Sequence, residues 1–150
     1  MPFRFPLDAV FHFRKSVEHQ HELRLRAANQ LVAKVRHALE HVDQIIRHLR
    51  DANSRQLTAG TTSAEMLFAL KREATLLLQR GELERELVRV ENLRDQQQKI
   101  FRQARRAREI FESLREHQLE AYQREAARRE QRELDDLFLI RRAHSLRQPG

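Results

Sequence analysis

The chain has 150 residues, 40% hydrophobic, 34% charged and 6% aromatic, with three Gly, three Pro, no Cys and a formal charge of +7. So few glycines and prolines cannot build the many turns of a sandwich, a barrel or an α/β fold, which leaves an all-α chain. Without cysteine there is no disulfide framework, no thiol nucleophile and no Cys-based zinc site.

Pro2 and Pro6 limit how far a first helix extends toward the amino terminus, because proline suits only a first helical turn. From there Leu7, Val10, Arg14, Val17, His21, Arg24, Ala28, Leu31, Val35, Ala38, Val42, Ile45, Leu49 and Ala52 alternate at spacings of three and four. From Ala28 onward every step is apolar, a heptad seam that faces a partner helix through a left-handed supercoil. Leu25, Val32, Leu39 and Ile46 add a third apolar row, wider than one neighbour needs. Two readings fit this row: it packs under Leu76, Leu77, Leu83 and Leu87, or it docks another protein near the hairpin tip.

The stretch from Asn53 to Ser63 holds the one internal break. Gly60 tolerates the positive φ of a turn, and Thr62 with Glu65 three residues later matches a capping box. Gly81 reads as a weak point inside the second helix, not as a break. Val90, Leu93, Gln97, Ile100, Ala104, Ala107, Phe111, Leu114, Gln118 and Ala121 continue a three-four seam. The expected architecture is a single all-α unit over residues 1–150, a long antiparallel two-helix coiled-coil hairpin with unequal arms. Helix one spans about 5–56, the turn about 57–62 and helix two about 63–142.

With the turn near residue 60, Leu7 should lie opposite about residue 113, so the rest of helix two has no intramolecular partner. That overhang is supported by pairs such as Glu120/Arg124 and Glu125/Arg129, acid before base at i,i+4. It ends in Leu137-Phe138-Leu139-Ile140 and then Arg141-Arg142. Four consecutive apolar residues surround the helix. The favoured reading is an end inserted into another protein; packing on Phe3, Phe5 and Phe11, or oligomerisation, are the alternatives.

No phosphate-binding, dinucleotide-binding, nucleophile-elbow or zinc-protease motif is present, and the carboxylates lie on open helix faces, so no enzyme and no cofactor are expected. His37, His41 and His48 lack a well-placed further ligand and read as surface imidazoles, with no metal. Arg102, Arg105, Arg106 and Arg108 form the densest basic cluster, but Glu109, Glu112 and Glu116 follow at once. Interspersed charge of this kind is a solvated, ion-paired face, not a nucleic-acid footprint. No apolar run approaches the roughly 18 residues of a membrane span. A soluble, intracellular chain without direct membrane insertion is expected.

The opening Phe3-Arg4-Phe5-Pro6-Leu7-Asp8-Ala9-Val10, with Arg14 after it, resembles the start of FliJ-type flagellar export proteins, F-x-F-x-L-x-x-V followed by a basic residue. The closing Arg129-Glu130-Gln131-Arg132-Glu133-Leu134-Asp135-Asp136, then Arg141-Arg142, resembles that family's carboxyl end. The resemblance implies a component of the flagellar type III export apparatus, similar in shape to the coiled-coil stalk (γ subunit) of rotary ATPases. It implies a cytoplasmic protein peripherally associated with the cell membrane at the flagellar base, acting in motility. The implied partners are the hexameric export ATPase FliI, the export gate protein FlhA and chaperones of export substrates. Carried onto this sequence, ATPase contacts fall on Phe3, Phe5, Leu7, Val10, Leu134, Leu137, Phe138, Leu139 and Ile140. Export-gate contacts fall on Ala38, Leu39, Val42, Ile45, Ile46 and Leu49, an aliphatic face where some relatives carry aromatic residues. The alternatives are a generic coiled-coil scaffold, the equivalent stalk of a virulence secretion system, or a nucleic-acid-binding hairpin.

Overall fold

A computed structural model describes residues 2–148. Two helices make up the chain, α1 (Asp8–Ala59) and α2 (Ser63–Arg147), 52 and 85 residues long. Helix one begins at Asp8, three residues after residue 5, because the Pro6 ring disfavours the helical conformation at the residue before it, Phe5. Helix two continues past residue 142 to Arg147.

Local chemistry fixes the turn. Gly60 has φ of 94°, a left-handed conformation that a side chain would strain. Thr62 caps α2: the Glu65 N–H donates to Thr62 Oγ1 at 3.2 Å, and the Thr62 N–H donates to Glu65 Oε2 at 3.5 Å. The Thr61 hydroxyl donates to the same carboxylate at 3.0 Å. Helix two thus starts at Ser63, where the sequence places it, and runs unbroken through Gly81.

Contacts divide the chain into two units, residues 18–103 and residues 1–17 with 104–150. In the first, Arg50 pairs with Glu73 at 2.7 Å, Arg80 with Asp43 at 2.5 Å and Arg36 with Glu91 at 3.0 Å. Partner numbers rise as the others fall, so the helices are antiparallel. The buried side chains here are Ala28, Val32, Val42, Ile46 and Val90.

These positions correct the seam. The row Ala28, Val35, Val42 and Leu49 faces inward as expected. Its companion is the row Leu25, Val32, Leu39 and Ile46, whereas Arg24, Leu31 and Ala52 are exposed. The reason is side-chain size: Leu, Val, Leu and Ile remove more apolar area from water than a row interrupted by Arg24, Ala38 and Ala52. On α2, Arg94 and Phe101 are half-buried while Leu93 and Ile100 stay exposed. Polar members of this seam are imperfectly satisfied: His21 Nδ1 and Gln97 Oε1 are buried without a partner. Such polar layers trade stability for a fixed register.

In the second unit the buried side chains are Phe5 and Phe11. The Phe3 and Tyr122 rings lie 5.5 Å apart, and the Arg115 guanidinium sits 5.7 Å from the Phe11 ring. Leu7 therefore lies opposite residues between 115 and 122, later than 113. The turn is centred after residue 60, and each residue of displacement shifts the opposing register by two. From residue 127 to 148 every side chain is exposed.

Candidate docking surfaces

The terminal part of α2 has the chemistry of an uncovered plug. Glu120 with Arg124 at 3.4 Å, Glu125 with Arg129 at 3.6 Å and Gln131 with Asp135 at 3.0 Å support it as a solvated helix. Beyond these pairs, Leu134, Leu137, Phe138, Leu139 and Ile140 are all more than half exposed, and Phe138 and Ile140 each show 64% of their surface. They do not pack on Phe3, Phe5 or Phe11.

The first-arm residues differ from one another. Leu7 and Val10 keep 37% of their surface. Phe5 is only 7% exposed, Phe3 is half-buried against Tyr122, and neither offers a free docking face. Pairing of the opening segment with α2 has taken them into the fold.

The helix-one face expected to meet the gate is largely spent. Val42 and Ile46 are buried, and Ala38, Leu39, Ile45 and Leu49 are half-buried, all within the same unit. Covering them is the role of α2, whose Leu76, Leu83 and Leu87 are half-buried on the same seam.

Sequence reasoning missed the exposed apolar row on the outside of α2. Leu67, Leu70, Leu77, Leu78 and Val88 are exposed. Leu67, Leu78 and Val88, with Ala74 and Gly81, recur at steps of three, four and seven, so at about 100° per residue they form one face on the side of the helix opposite its buried seam, whereas Leu70 and Leu77 flank that seam and line clefts shared with α1. The signal lies in the sequence as a second heptad, Leu67, Ala74, Gly81, Val88, masked by the glycine in its middle. A groove of about 320 Å³ lies there, lined by Leu77, Leu78, Gly81, Glu84, Arg85 and Val88. Nothing stands within 4 Å of where a Gly81 Cβ would be, so intramolecular packing does not require the glycine. Met66 and Phe68 extend the apolar surface to the turn, where Leu57, Met66 and Leu70 line a cleft of about 270 Å³.

Electrostatics around these faces are those of paired surfaces. Asp43 and Glu84 flank Arg80; the hydrogen bond and charge of Asp43, then Glu84, raise its already high pKa further. The hydrogen bond from Arg89 holds the Glu86 carboxyl below its ordinary range. In the basic cluster Arg105 pairs with Glu109 at 3.1 Å and Arg108 with Glu112, which neutralises two of its four cations. His37, His41 and His48 are exposed, and among the described residues no three His, Cys, Asp or Glu gather as ligands. Among the described residues no helix is long and apolar enough to cross a membrane.

The family model described as flagellar FliJ protein matches residues 3–147, nearly the whole chain. The chain belongs to the FliJ family. This FliJ-family chain matches no curated protein. It is similar to a solved structure, that of a proposed YscO homolog from Chlamydia trachomatis, at 18% identity and a TM-score of 0.56. The likeness covers 98% of this chain and 100% of the other, and it bears on the fold alone.

Proposed function

We propose that this FliJ-family chain is a stalk-like coupling protein of the flagellar export apparatus. In this reading the bare end of α2 is received by the hexameric export ATPase FliI and promotes its activity, while a second surface meets the export gate FlhA. The cell then holds it in the cytoplasm, at the membrane face of the flagellar base. The observation that carries the reading is the exposed apolar end of α2, residues 134–140, on a helix with no intramolecular cover from residue 127 onward. A run of this kind is a docking surface, since leaving it in water gains nothing for a monomer. Leu7 and Val10, still part-exposed, are the first-arm candidates for the same partner.

The gate surface in this proposal moves from helix one to the outer row of α2, where Leu67, Leu78 and Val88 are available. The experiment is ATPase stimulation. Replacing Leu137, Phe138 and Ile140 together with Ser should abolish stimulation of the cognate ATPase while the helix signal at 222 nm is unchanged. Full stimulation by that variant refutes the terminal plug. A dimer in light scattering that leaves the ATPase unaffected would instead favour a scaffold.

A further inference from the structure

The unit made of residues 1–17 with 104–150 has two unlike flanks. Its seam passes through Phe11 and Arg14 on α1 and through Ala104, Arg108 and Phe111 on α2. In an antiparallel pair of right-handed helices, residues one place after a seam position lie on one side of the pair, and residues one place before it lie on the other. The places after are charged and paired. Asp8 meets His12 at 3.2 Å, Arg105 meets Glu109 at 3.1 Å, and Glu112 is held by Arg108.

The places before carry no charge. They are Val10, Phe13 and Val17 on α1 and Ala107, Ile110 and Leu114 on α2, each set at i, i+3 and i+7 and so on one helical face. The contact of Arg115 with the Phe11 ring sets the two rows abreast. Phe13 and Ile110 are 61% and 66% exposed, and Val10 and Leu114 keep 37% each. Arg14 borders this face, one turn from both Val10 and Val17. Its Nε is buried without an acceptor, and among the described residues its guanidinium makes no ion pair. A cation withdrawn from water without an acceptor costs the fold free energy that an incoming carboxylate would return.

We propose that Phe13, Ile110 and Leu114 form a docking face for an acidic amphipathic helix of another protein, one of whose carboxylates meets Arg14. A furrow between two helices with apolar anchors on both sides takes a third helix whose apolar ridge has three-four spacing. Arg14 selects the charge of that helix. A second copy of this chain is the wrong occupant for two reasons. Seated through the same face, it would bring a second Arg14 and no carboxylate. The exposed apolar area is on the order of 400 Å², half of the ~800 Å² per partner of a stable interface, and suits one short helix. The face lies on the paired arms, away from residues 134–140, so this inference does not rest on the ATPase reading.

The test uses the full chain and a dye-labelled helical peptide of about 18 residues, roughly five turns, with leucines at three-four spacing flanked by glutamates. A twin peptide has lysine in place of every glutamate. Fluorescence anisotropy should show the glutamate peptide binding at least tenfold tighter than its twin. General attraction to a chain of charge +7 would give the same order, so the variants decide. Phe13→Ser/Ile110→Ser changes no charge and only exposed positions; it should weaken the glutamate peptide at least tenfold with the signal at 222 nm unchanged. Arg14→Met should weaken it about tenfold, whereas Arg106→Met, the same charge removed from an exposed position, should change it less than twofold. Equal losses from the two arginine variants would overturn the Arg14 contact and leave net charge as the cause. Binding that survives Phe13→Ser/Ile110→Ser would put the peptide elsewhere on the chain and overturn the face, as would no binding of either peptide. A wild-type chain that sediments as a dimer, and as a monomer after Phe13→Ser/Ile110→Ser, would overturn the choice of occupant in favour of a second copy.

Discussion

Ile46→Ala and Leu31→Ala form a decisive pair, because the two residues occupy rival rows of the same helix. Ile46 is 4% exposed, whereas Leu31 keeps 49% of its surface. Truncating Ile46 removes three carbons' worth of buried apolar surface, about 2.4 kcal/mol at 0.8 kcal/mol per methylene, before any cavity term. A two-helix seam is open at its flanks, so water and neighbours relax into the space and the total should stay near 2–3 kcal/mol. Leu31 is half in water already, which caps its loss at about 1.2 kcal/mol, and the better helix propensity of Ala offsets a few tenths. Urea unfolding followed at 222 nm reads both. With a slope of about 1.5 kcal/mol per molar, Ile46→Ala should lower the midpoint by about 1.5 M and Leu31→Ala by less than about 0.8 M. Equal shifts, or a larger one for Leu31→Ala, would mean that the seam runs along the Leu31 row and not along the Val32 and Ile46 row.

Other consequences are as direct. Gly81→Ala should stabilise the chain by about 0.5–1 kcal/mol, since its site is open and helical, and should weaken gate binding if the groove beside it is used. Thr62→Ala removes the cap of α2 and should cost about 1 kcal/mol in the same urea assay. Gly60→Ala should cost a similar amount, about 1 kcal/mol, through its positive φ. The Glu86 carboxyl should titrate below the ordinary glutamate range in a carboxylate-detected NMR series, and Arg89→Gln should raise it. Because the folded value is depressed, this pair supports the fold above the unfolded value, and the support fades as pH falls through the folded one.

How much of this was legible follows from where the signals are local. The capping box at Thr62 and Glu65, the glycine at the turn and the i,i+4 pairs of the terminal helix depend on neighbours in sequence, and the structure contains them. The choice between Leu31 and Val32 as seam residues is not local. Both rows have heptad spacing, and only the total area that α2 can cover decides between them. The same limit hid the outer face of α2: Leu67, Ala74, Gly81 and Val88 have seam spacing, but a helix that already has one seam shows a second only when the first is known. The burial of Phe5 is hidden from the sequence for a related reason. Its pattern marks an amino-terminal motif, while its burial depends on a register set by a turn more than fifty residues away.

The most direct test of the central claim is site-specific photocrosslinking in the presence of the export ATPase. A photoreactive residue replacing Phe138 should capture the ATPase, and one replacing Phe68, near the turn, should not. Capture from position 68 with none from position 138 would contradict the account, because the bare end of α2 would then have no part in the encounter.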